Sequence, residues 1–184
     1  MLSFWAFTSK EVLDISNLKA ENISETCEAI SFEDAVRLDA TISATSNRCT
    51  EENLNKLEDE IHEMTKSNVS YFRFMGTFSL YGNGEPDGTL TTLVIIAADS
   101  EPYFYEVRNP LVEVGRTRVA TQWTQLDSSA TIDADKTSVR LSAMGYISTT
   151  DRKQVRQDSN TIYPVFTVPI SLIESCDVDS MSVN

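Results

Sequence analysis

The spacing of apolar and polar residues changes once along this chain. Before residue 67 it is helical wherever it is regular, and from Asn68 onward it has a period of two. The clearest helical stretch is Glu51 to Met64, where Leu54, Leu57, Ile61 and Met64 make one apolar stripe. Glu52, Lys56, Asp59, Glu60 and Glu63 occupy the opposite side. Thr50 is placed to cap this helix, and Glu51 and Glu52 sit where the helix dipole favours negative charge. A second helix is predicted from about Phe32 to Ile42, with Ala35, Leu38 and Ile42 on its apolar side. Ser31 and Asp34 form its capping box, with Asp in place of Glu. Residues 9–30 carry Val12, Leu13, Ile15, Leu18, Ile23 and Ile30 at irregular intervals and predict no element.

Beyond Asn68 the alternation predicts strands. Ser70–Tyr81 places Phe72, Phe74, Gly76, Phe78 and Leu80 on one face and Tyr71, Arg73, Met75, Thr77, Ser79 and Tyr81 on the other. The loop Gly82-Asn-Gly-Glu-Pro-Asp-Gly88 then predicts a hairpin. Leu90–Ala98 is continuously apolar and of strand length, as a strand covered on both faces must be. Further strands follow at Tyr103–Val107, Arg116–Gln125 and Lys136–Ser148. The last, Ile162–Ile173, contains Pro164 and Pro169; proline cannot donate to a ladder, so this strand belongs at an edge or a bulge. The fold class expected is α+β and β-rich: an antiparallel sandwich or barrel-like sheet with an N-terminal helical arm.

Composition supports a division into three parts. Residues 1–67 hold 14 acids and 6 bases and contain no Gly and no Pro, and read as an acidic, partly helical arm. Residues 68–173 form the antiparallel β domain, and residues 174–184 a disordered acidic tail. The whole chain has 184 residues, 41% hydrophobic and 23% charged, with a formal charge of −13. That charge argues against a generic nucleic-acid binder, and no sequence-specific nucleic-acid contact is expected.

The stock of reactive side chains is small. His62 is the one histidine, it lies in no nucleophile motif, and G-x-S-x-G is absent. Asp99 and Glu101 are the best-placed carboxylate pair, yet a Ser/Glu/Pro turn explains them equally well. Gly82-Asn83-Gly84 lacks the Gly-Lys-Ser/Thr of a phosphate loop, and Asp127, Asp133 and Asp135 lack the calcium-loop pattern. Cys27, Cys49 and Cys176 include no C-x-x-C pair, so zinc is not expected, and their odd number suggests free thiols in a reducing compartment. The expectation is a protein that is not an enzyme, uses no cofactor, and works in the cytoplasm.

Charge is unevenly placed. Residues 108–156 carry Arg108, Arg116, Arg118, Lys136, Arg140, Arg152, Lys153 and Arg156 against five acids. Arg116, Arg118, Arg140, Arg152, Lys153 and Arg156 are therefore the candidate basic interaction face, or simply outward positions of solvated strands. Phe4, Trp5 and Phe7 are a candidate N-terminal apolar anchor that docks on the chain's own core or on a partner. An acidic arm and a basic sheet on one molecule invite head-to-tail self-association.

Two stretches, Tyr71-Phe-Arg-Phe-Met-Gly-Thr-Phe-Ser-Leu-Tyr81 and Thr137-Ser-Val-Arg-Leu-Ser-Ala-Met-Gly-Tyr-Ile147, with the arm-plus-sheet pattern, resemble the small matrix proteins of plant rhabdoviruses of the cytorhabdovirus kind. The likeness covers about half the chain and brings no motif from which residue roles carry over. It implies a virion structural protein that self-associates and bridges nucleocapsid (through nucleoprotein) to an anionic membrane surface or glycoprotein tails. The alternatives are a monomeric β-sandwich module for a peptide or small ligand, and a viral coat or movement protein.

Overall fold

Strands β2 (Asn68–Ser79) and β3 (Gly88–Ala98) form the hairpin that the alternation predicts, in register from Asn68 opposite Ala98 to Phe78 opposite Gly88. In the loop between them Gly82 and Gly84 take positive φ, and the Asp87 carboxylate accepts from the Leu80 N–H at 2.7 Å. This hairpin anchors the first of two antiparallel sheets in the computed structural model, which describes residues 14–43, 55–56, 59, 68–115, 120–150 and 154–180. Strand β1 (Glu21–Ile30) flanks β2, while β4 (Pro102–Val107) and β5 (Leu111–Val114) share the far side of β3. The second sheet pairs β6 (Ala120–Ile132) with β7 (Ser138–Thr150), whose other side carries β8 (Arg156–Asp158) and β9 (Val165–Pro169).

The sheets pack face to face over one core. Phe72, Phe74, Phe78, Leu90, Val94, Ile96 and Phe104 from the first meet Val139, Leu141, Ile147, Phe166 and Val168 from the second. Helix α1 (Phe32–Ser43) covers the outer face of the first sheet, setting Ala35 and Ile42 on Tyr71, Leu93, Ile95 and Ala97. Strand β3 is thus buried from both sides, as its unbroken apolar run requires. Ser31 begins α1: its hydroxyl accepts from the Asp34 N–H at 3.1 Å and donates to the Asp34 carboxylate at 2.9 Å. Asp39, on the buried side of α1, is 2% exposed and takes a 2.7 Å bond from Arg108 Nε, which also pairs with Glu106.

Four expectations are corrected. Residues 21–30, assigned to the partly helical arm with no predicted element, form β1 as an edge strand of the first sheet, and α1 lies on that same sheet. Strand β1 escaped detection because it is exposed on nearly all sides and depends on pairing with β2 rather than on apolar alternation. The final strand ends at Pro169, and helix α2 (Ile170–Ser180) takes over. Ile170, Leu172, Ile173 and Cys176 recur at helical spacing and pack on the inter-sheet core, so the helix runs to Ser180 through most of the expected tail, of which residues 181–184 lie outside the described residues. Pro164 is buried on the same side as Ile162 and Phe166, and among the described residues β9 is an edge strand paired with β7 alone.

The fourth correction concerns the thiols. Cys27 and Cys176 form a disulfide with their Cα atoms 5.9 Å apart, inside the span of about 4.4–6.8 Å that such a bridge requires. The predicted helix over Glu51–Met64 falls largely outside the described residues; Asn55, Lys56 and Asp59 within it are helical and exposed. Among the described residues no helix is long and apolar enough to cross a membrane.

Candidate functional site

The two sheets differ in what lies outside them. Helix α1 covers part of the first, whereas no described element lies across the outer face of the second. Pairing with β6 and β9 assigns that face residue by residue. Thr131, Arg140 and Thr167 form one row across β6, β7 and β9, and Ser129, Ser142 and Val165 the next. The same register continues through the Gly145–Ile162 bridge and sets Tyr163 opposite Met144, with Asp127 on its other side. Thr124 beside Tyr146 and Gln122 beside Ser148 complete the face.

Its middle is apolar and its margins polar. Tyr163 is 58% exposed, Met144, Tyr146 and Val165 are half-buried, and Leu126 is 54% exposed. Leu126 stands out because β6 bulges between Gln125 and Asp127, which also shifts the phase of its alternation. That phase shift is why the sequence pattern ends at Gln125 while the strand runs on to Ile132. At one end, Arg156 Nε bonds Asp158 Oδ1 at 2.9 Å and its Nη2 bonds the Ser148 hydroxyl at 2.9 Å. The Ser148 hydroxyl in turn donates to Asp158 at 2.6 Å, and with Arg156 it holds that carboxyl below the usual range.

Of the candidate basic face, only Arg140 and Arg156 lie among the described residues. Arg140 and Arg156 do share the outer side of the second sheet. However, Arg156 sits beside Thr150, ten positions along β7 from Arg140, which is about 33 Å of strand. Arg108 belongs to the buried pairing with Asp39, and Lys136 stands 5.0 Å over the Tyr103 ring at the β6–β7 turn. Arg116, Arg118, Arg152 and Lys153 lie outside the described residues, as do the apolar anchor Phe4, Trp5 and Phe7, and His62. Met144 and Tyr146 carried a sequence signal: they share the parity of Ser138, Arg140 and Ser142 on the outward side of β7.

The acidic positions have structural uses. Asp133 closes the β6–β7 turn, accepting from the Ser138 hydroxyl at 2.6 Å and from the Thr137 and Ser138 N–H groups, which holds its carboxyl below the usual range. Asp99 and Glu101 are exposed at the β3–β4 turn. Among the described residues no group of His, Cys, Asp or Glu is arranged to hold a metal ion.

Among the described residues the fold is a helix-covered antiparallel β-sandwich whose second sheet has an uncovered outer face. No family model matches the chain, and no curated protein matches it. A crystal structure of a two-domain protein of unknown function from Bacteroides thetaiotaomicron is similar over 75% of this chain and 82% of its own, with 14% identity and a TM-score of 0.36.

Proposed function

We propose that the protein is a non-enzymatic, self-associating assembly module whose copies meet through the outer face of the second sheet. The observation that carries this is the apolar centre of Met144, Tyr146, Tyr163 and Val165 within a rim of Thr131, Arg140, Asp127 and Thr167. An aromatic and methionine-rich middle with a polar margin is the composition of protein–protein interfaces. The formal charge of −13 makes copies repel one another, so salt should promote the contact by screening. This reverses the salt dependence that a basic face meeting an acidic arm would produce.

In the setting implied by the matrix-protein resemblance, the partners are further copies, nucleoprotein and an anionic membrane surface. That setting places the chain in the cytoplasm and the virion. The second reading, a monomeric module holding a peptide or small ligand, is favoured by the hydroxyl groups of Thr124, Ser129, Thr131 and Ser142 on the same face. Light scattering across concentration and salt separates the two. Oligomers that grow with concentration and salt, and that Tyr163→Asp disperses, support assembly. A monomer under all conditions overturns it in favour of the ligand module.

A further inference from the structure

We propose that the Cys27–Cys176 disulfide is a reducible clip that holds helix α2 against the β1 side of the sandwich, so that a dithiol reductant releases the helix while the two sheets stay packed. Cys27 pairs with Phe74 across β1 and β2 and packs on the inter-sheet core together with Cys176 from α2. The bridge joins positions 149 residues apart, the edge of the first sheet and the helix that follows the last strand. The Leu172 carbonyl lies 3.5 Å from the Cys27 sulfur and 3.1 Å from that of Cys176. Both cysteines are only half-buried, so a small dithiol reaches them without unfolding the body.

Apart from apolar packing on the core, little else joins these elements. Strand β1 carries Glu21, Glu25 and Glu28 and no base, with Glu28 paired to Arg73 of β2 at 2.9 Å, and α2 likewise carries no base. With no base on either element, no ion pair joins one to the other. Besides the bridge, α2 is held by Ile173, buried in the core, by Ile170 and Leu172 packed beside it, and by one bond from the Ile170 N–H to the Thr137 carbonyl at 2.7 Å. The sheets themselves are joined by Phe74 against Phe166 and, at the opposite side, by Gln125 bonding Val112 and Pro110. None of these ties passes through α2.

The chemistry is thiol–disulfide exchange. A thiolate of the dithiol attacks one sulfur, the Cys27–Cys176 bond breaks, and a mixed disulfide forms; the second thiol displaces the protein. Two electrons and two protons pass to Cys27 and Cys176, and the reductant leaves as its own disulfide. The clip is closed in an oxidising compartment and open in a reducing one. Opening uncovers Ile173 and the flank of the core that it seals.

The test uses the full chain with Cys49→Ser, which removes the third thiol, before and after dithiothreitol. Peptide mass spectrometry of the air-oxidised protein should find residues 27 and 176 linked. Reduction should speed amide exchange over residues 170–176 by about tenfold or more while β2, β3 and β7 keep their protection. Cys27→Ser and Cys176→Ser should each reproduce the open state without reductant. Two free thiols in the oxidised native protein would overturn the proposal. So would exchange in α2 that ignores reduction, or loss of protection throughout the sheets.

Discussion

Phe166 of β9 rests its ring on the backbone of Gly76 in β2, so closely that a Cβ at Gly76 would stand 2.6 Å from the ring's Cε1. The same ring meets Phe74 edge-on, with centroids 6.1 Å apart. One glycine therefore sets how closely the two sheets approach at this point. Gly76→Ala should destabilise the fold by about 1–3 kcal/mol, the usual cost of overpacking, as read from a urea denaturation midpoint. Phe166→Leu in the same background should recover part of the loss; no recovery would mean that the ring is not what excludes the methyl group.

Asp39 tests the seating of α1. Removing one partner of a buried ion pair leaves the other charge uncompensated, which costs about 3–5 kcal/mol when burial is complete. Arg108 keeps Glu106 and is partly exposed, so Asp39→Ala should cost about 2–3 kcal/mol. The expected signature is faster amide exchange in α1 than in β7. Equal acceleration in both would show that the helix does not come away on its own.

Gln125 bridges the two sheets with both ends of its amide, donating to the Pro110 carbonyl at 3.0 Å and accepting from the Val112 N–H at 2.9 Å. Gln125→Ala leaves both backbone groups without these partners, a loss of about 1–3 kcal/mol in thermal or urea unfolding. Gln125→Glu keeps the acceptor and loses the donor, and should fall between the two. A fully stable Gln125→Ala protein would contradict the bridging role.

Acid should loosen the end of the exposed face. The Asp158 carboxyl is held below its ordinary value of 3.8, first by the Ser148 hydroxyl and then by Arg156. Its contribution to stability is therefore present above pH 3.8 and fades as pH falls through the lower value of the folded state. A carboxyl titration followed by NMR should show a midpoint below 3.8 for Asp158, and Ser148→Ala should move it upward. Asp133, lowered first by its bonds from Ser138, should respond in the same way to Ser138→Ala.

Much of this architecture was legible in the order of residues. Strands β2 and β7 are buried on one face more than the other, which imposes the period of two seen along Phe72, Phe74, Gly76 and Phe78, while β3, buried on both faces, shows an unbroken apolar run. The capping pair Ser31 and Asp34 marks the start of α1 because the bonds involved span only three residues. Local interactions leave local signatures.

What only the tertiary structure decided depends on contacts between distant segments. Strand β1 has no alternation of its own, since it is an edge held by the backbone of β2. The phase of β6 flips at Leu126 because a bulge adds one residue that no partner requires. The residues from Ile170 fit a strand as well as a helix until packing on the core selects the helix. The pairing of Cys27 with Cys176 and of Asp39 with Arg108 joins positions 149 and 69 residues apart. No periodicity encodes such pairs; they exist because two sheets and a helix bring those side chains within bonding distance.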